Sequence, residues 1–135
     1  MEITQTTDDA ILIQVIQKLP EVKVQPMDKR AFAEQLAHGL EQQTTVVFAA
    51  VDDDGDLRGC AVLESKITYE ERFLWLLFLW AHLEEHGMAD RLNECLKEFA
   101  RENGVDKIRA EVKRGFRALG KYDWYEICRI FETEV

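Results

Sequence analysis

Nine consecutive apolar residues, Phe73-Leu74-Trp75-Leu76-Leu77-Phe78-Leu79-Trp80-Ala81, constrain this chain more than any other feature. The run falls well short of the roughly 20 residues that a membrane-spanning helix needs. A segment apolar at every position has no face to offer to water. It therefore predicts a buried strand, about Arg72 to His82, in a sheet covered on both sides. At 135 residues the chain can supply one such core, burying roughly two-thirds of its unfolded surface. This reading makes 1–135 a single domain, with helices in 1–43 and a sheet-and-loop core in 44–135.

The flanking patterns supply the layers. Asp8 and Asp9 precede Ile11, Leu12, Val15, Ile16 and Leu19, which share one helical face up to Pro20. Asp28 is placed to cap a second helix in which Phe32, Leu36 and Leu40 recur every fourth residue, ending near Gln42. Thr45 to Val51 is apolar and β-branched, and the turn cluster Asp52-Asp53-Asp54-Gly55-Asp56 joins it to a second hairpin arm, Leu57 to Leu63. Met88 to Asn103 is helical, with Met88, Leu92, Cys95, Leu96 and Phe99 on one stripe and Gly104 as its terminator. Ile108, Ala110 and Val112 then alternate with polar residues as a strand. A short helix near Arg114 to Lys121 and a last strand from about Trp124 to Thr133 complete the order. Strands in succession followed by a strand-helix-strand crossover give an α/β chain of the α+β type, with a mixed, mostly antiparallel sheet flanked by helices.

Composition closes off several functions. A net charge of −9 opposes nonspecific attraction to nucleic acid and to anionic membranes. The start, Met1-Glu2-Ile3, lacks the positive segment and apolar run of a secretory signal, which predicts a cytoplasmic location. Cys60, Cys95 and Cys128 are scattered and odd in number, so neither a disulfide framework nor a zinc site is expected. Asp52, Asp54 and Asp56 begin like a calcium loop, but Leu57 and Leu63 stand where such a loop needs Gly and Glu. His82 and His86 are four apart on a strand end and loop, where that spacing does not align them for a metal.

The junction after the apolar run reads Leu79-Trp80-Ala81-His82-Leu83-Glu84-Glu85-His86-Gly87-Met88-Ala89-Asp90-Arg91-Leu92. A strand running into two small residues at the start of a helix suits an anionic ligand, because helix N-termini present unpaired N–H groups and partial positive charge. The segment resembles the signature of the GNAT superfamily of N-acetyltransferases. There a strand ending in an aliphatic residue enters Gln/Arg-x-x-Gly-x-Gly/Ala and then a helix. Gly87 and Ala89 match the two small positions, and Leu79 the strand end.

The resemblance implies an acyl-CoA-dependent transfer to a primary amine of a small molecule or protein, with acetyl-CoA as cofactor and an amine acceptor as partner. It places the pyrophosphate at Glu85, His86, Gly87, Met88, Ala89 and Asp90, and the pantetheine along the backbone of Leu79 and Ala81. Between Asp106 and Lys121 stand six basic and two acidic residues. Arg114 and Arg117 of this stretch are the implied contacts for the nucleotide end. Glu64 and Tyr122 are the candidates for proton transfer, and His82 is another candidate base. Where the family carries Gln or Arg, however, this chain has Glu84, and Glu85 and Asp90 add two more carboxylates. The alternative is thus a noncatalytic GNAT-like binding, assembly or regulatory protein that has lost the cofactor, with a second copy or another protein as partner through sheet edges.

Overall fold

The apolar run becomes a strand because two layers meet across it. The computed structural model describes residues 1–21 and 28–110. In chain order these form β1 (Thr4–Gln5), α1 (Asp9–Gln17), α2 (Lys29–Glu41), β2 (Thr45–Val51), β3 (Leu57–Ile67), β4 (Arg72–Ala81), α3 (Met88–Glu102) and β5 (Ile108–Ala110). The five strands form one sheet in the order β1-β2-β3-β4-β5. All neighbours are antiparallel except β4 and β5, which run parallel through the α3 crossover. The strand segment after Ala110 and the last helix and strand anticipated from the sequence lie outside the described residues. No helix among those described is long and apolar enough to cross a membrane.

Each face of the sheet has its own core. On one side Val15 of α1 and Phe32 and Leu36 of α2 pack on Val47, Val62 and Phe78. On the other, Met88, Leu92 and Leu96 of α3 pack on Ala61, Leu63 and Leu76. Asp8 and Asp28 cap α1 and α2 through bonds from the Ile11 and Ala31 amides, at 3.2 and 2.7 Å. At the end of α3, Gly104 takes the left-handed conformation (φ +67°). The Val105 amide reaches back to Ala100 and that of Gly104 to Arg101, the paired bonds of a Schellman stop.

Two departures from the sequence reading matter. β3 runs to Ile67, four residues further than its apolar pattern indicates, because ladder bonds to β4 continue under the polar Glu64, Ser65 and Lys66. β4 also carries a bulge. Val62 pairs with Phe78 while Leu63 pairs with Leu76, which leaves Leu77 as the extra residue. Leu77 and Phe78 consequently both join the core under α1 and α2, whereas Leu76 and Leu79 belong to the α3 side. Strand β1 gave no apolar signal, being only two residues on the sheet edge.

At the start of β4, Glu71 clamps β5. Its carboxylate takes Lys107 Nζ at 2.9 Å and Arg109 at 2.6 Å, and the bond from Lys107, followed by that from Arg109, holds the carboxyl below the usual range. A depressed folded value means the contribution is present above an ordinary carboxyl value of about 4.5 and is lost as pH falls through the folded value. Glu71→Gln should therefore unfold at lower urea than the parent near pH 7, and the two midpoints should converge as the pH falls through the folded value. Packing gives a second check. A Cβ added at Gly39 of α2 would collide with Thr45 Oγ1 and lie 2.6 Å from Thr45 Cβ. Gly39→Ala should cost about 1–3 kcal/mol in the same assay, since a buried strand end cannot step aside freely.

Candidate functional site

The loop from His82 to Gly87 leaves the exit of β4 and enters α3. Its turn is closed by Glu85 N–H to the His82 carbonyl (2.9 Å) and Met88 N–H to the Glu85 carbonyl (3.2 Å). Glu84 N–H donates to His82 Nδ1 at 3.1 Å. Gly87 is the helix N-cap, left-handed at φ +80°, and offers no side chain to the first turn. Among the described residues, the amides of His86, Gly87, Ala89 and Asp90 have no acceptor. A helix start with several unpaired N–H groups is an anion cradle in waiting. Gly59 of β3 seats this helix start: a Cβ there would come within 2.6 Å of Met88 Cγ.

Three carboxylates surround that cradle, and the structure shows what balances two of them. Ala50 pairs with Gly59 and Val51 with Leu57, so Arg58 is the extra residue of a second bulge. Arg58 Nε meets Glu85 at 2.8 Å and its terminal nitrogen lies 3.6 Å from Glu84. The Glu85 hydrogen bond raises the guanidinium's pKa further, so the charge is permanent. The segment's own basic residues do not pair with these carboxylates. Arg91 instead donates to the Met1 carbonyl at 2.6 Å, and His86 is exposed with no ion pair among the described residues. Arg58 was missed because no apolar pattern marks a bulge. Asp90, in the first turn of α3, is exposed.

Leu79 and Ala81 lie on the α3 face of β4, half-buried. On the β5 side of this strand, the ladder covers Leu74, Trp75 and Leu76 alone. Among the described residues, nothing pairs with Leu77 to Ala81 on that side.

Glu64 is not at the loop. It pairs with Trp75, whereas Gly59 pairs with Ala81, so five residues of β3, roughly 17 Å, separate Glu64 from the cradle. Its carboxylate accepts from Gln35 of α2 at 2.7 Å and from Lys66 at 2.6 Å. Gln35 and Lys66, with Phe73, Trp75 and Leu77, line an open hollow of about 330 Å³ on the α2 face. β4 thus carries an amide cradle at its exit and a carboxylate-edged hollow along its first half.

The fold recurs in solved structures. The chain is similar to a predicted acetyltransferase from Clostridium acetobutylicum solved with acetyl-CoA, at a TM-score of 0.75 and 15% identity over 98% of this chain and 95% of that one. It is similar to an aminoglycoside 6'-N-acetyltransferase from Acinetobacter haemolyticus, at 0.76 and 11% over 100% and 99%. An acetyltransferase of Trypanosoma brucei gives 0.71 and 14% over 99% and 100%. The chain has the GNAT acetyltransferase fold. No family model and no curated protein sequence matches it.

Within this GNAT fold, Tyr122, Arg114, Arg117 and Cys128 lie outside the described residues. His82 stands with its ring edge-on to Trp80 and is committed to the loop through Nδ1. Burial pushes the Cys60 thiol far up, and burial with Glu102 and Glu98 raises Cys95, so both are poor nucleophiles. The carboxylates of Asp52, Asp54 and Asp56 lie within 4.8 Å of one another. Asp52, however, is engaged by the amides of Asp54 and Asp56 at 3.0 and 2.9 Å, the bonds of a hairpin turn.

If Arg58 holds the loop, Arg58→Met should speed hydrogen exchange at the Glu85 and Met88 amides while leaving those of mid-α3 unchanged. Uniform acceleration through α3 would mean that the ion pairs act on global stability instead.

Proposed function

We propose that the chain is an acyl-CoA-dependent N-acyltransferase that uses the two ends of β4 for its two substrates. The observation that carries this reading is the cradle: unpaired amides at a glycine-capped helix start, with Glu84 and Glu85 ion-paired to Arg58. The residues present fit a diphosphate. His86, Gly87, Ala89 and Asp90 would donate their amides to it, and a bare Cα at Gly87 has nothing within 4 Å of where a Cβ would be. The backbone of Leu79 and Ala81 would hold the pantetheine, and Arg114 and Arg117 the nucleotide end.

Acetyl-CoA supplies an activated thioester whose carbonyl carbon accepts a nucleophile and whose sulfur departs. Glu64 receives the proton that the amine nitrogen loses as its bond to the carbonyl carbon forms. Tyr122 or water would supply the proton that the sulfur needs as the carbon–sulfur bond breaks. Gln35 orients the carboxylate of Glu64 for this role. In this reading residues 1–135 act as one unit.

The noncatalytic alternative draws on Asp90, whose carboxylate in the first turn would repel a diphosphate. Thermal unfolding under acetyl-CoA separates the two. At a hundred times the dissociation constant a bound ligand adds about 2.7 kcal/mol, and Gly87→Val, forced into a left-handed backbone, should abolish the shift. Absence of any shift at millimolar concentration would reject the enzyme.

A further inference from the structure

We infer that the hollow beside Glu64 is built for an α-amino acid with an apolar, above all aromatic, side chain, which would serve as the amine acceptor. The inference rests on the acyltransferase reading for its chemistry, though not for the binding itself. Phe73, Trp75 and Leu77 give the hollow an apolar wall. The bulge at Leu77 lets that wall continue into the buried Phe78 on the same face. Such a wall suits a flat hydrocarbon surface and has little to offer a hydroxylated sugar.

The charges at its edge narrow the choice. Glu64, only 16% exposed, already has Lys66 on one oxygen and Gln35 on the other. Beside it the Arg109 guanidinium lies 4.4 Å above the Phe73 ring and is tied, with Lys107, to Glu71. In these ion pairs three cations, Lys66, Lys107 and Arg109, stand against two carboxylates, Glu64 and Glu71, so a polycationic acceptor would meet net repulsion. A simple monoamine would displace Lys66 from Glu64 and leave that cation unpaired. A zwitterion avoids both costs. Its α-ammonium takes the Glu64 oxygen that Lys66 vacates, and its α-carboxylate takes Lys66, whose side chain is 43% exposed and free to swing. Two ion pairs replace one without an orphaned charge.

The transfer completes the logic. The α-ammonium gives one proton to Glu64, the neutral nitrogen bonds to the acyl carbonyl carbon, and the second proton it then sheds goes to the sulfur as the carbon–sulfur bond breaks, releasing the thiol. The product is an N-acyl amino acid, an anion that has lost its hold on Glu64.

Isothermal titration of the full chain without cofactor tests the site. L-Phenylalanine should bind about tenfold or more tightly than phenethylamine, which has the same ring and amine without the carboxylate, and than kanamycin. Lys66→Met should bring L-phenylalanine down to the phenethylamine level. Equal or tighter binding of phenethylamine or kanamycin, or no binding of L-phenylalanine, would overturn the inference. A thermal shift with acetyl-CoA but no amino-acid binding defeats the acceptor class alone. Amino-acid binding without any acetyl-CoA shift defeats the acyltransferase reading alone.

Discussion

β4 has to be dry on both faces, and most of the architecture follows from meeting that demand. An all-apolar strand is stable only between two layers, so α1 and α2 cover one face and α3 the other. Covering the second face with a helix that follows β4 directly forces a crossover, and the crossover makes β5 parallel. It also forces the start of α3 to the exit of β4. The anion cradle is thus a by-product of hiding Leu76, Leu79 and Ala81 from water, and its amides are oriented by the same packing that seats Met88 against Gly59.

Two bulges then decide which side chains reach the sites. An extra residue shifts the alternation of a strand by one, so everything beyond it changes face. At Leu77 the shift lengthens the apolar wall on the α2 side. At Arg58 it aims a guanidinium at the loop across the strand end, where the Arg58 carbonyl also receives the His82 amide. Neither site would have its present charge balance in a regular sheet.

This division explains what could be read from the sequence. Patterns that depend on burial were legible. The nine-residue apolar run, the Val15 and Phe32 stripes, the Asp28 cap and the Gly104 stop all appear in the structure where their spacing places them. The Gly87-x-Ala89 spacing also marked where α3 begins, because a glycine that takes the left-handed conformation is a signal local to the chain. What depends on pairing between distant segments was not legible. Arg58 is 26 residues from Glu84, and only the bulge at the β2–β3 turn brings them together. Glu64 was a lone acid in a polar stretch until β3 and α2 supplied Lys66 and Gln35. The two-residue β1 has no pattern at all, and is held by pairing with Ala49 and Phe48.

The Arg58 pairing changes what the acidic loop means. With Glu84 and Glu85 balanced only as a cluster with Arg58, the cradle presents directional N–H donors without a strong positive field. For the diphosphate proposed above, long-range attraction would then be weak, and affinity would have to come from short hydrogen bonds to the backbone and from apolar contact along β4. Such bonds respond little to ionic strength, whereas a loop with Arg in place of Glu84 would draw its ligand by charge. The same arrangement governs the other end of β4, where Glu64 is kept paired until a ligand brings its own counter-charge. Glu64, Glu84 and Glu85 are thus each paired within the chain, which would let a protein with a net charge of −9 accept anionic groups at the two proposed sites.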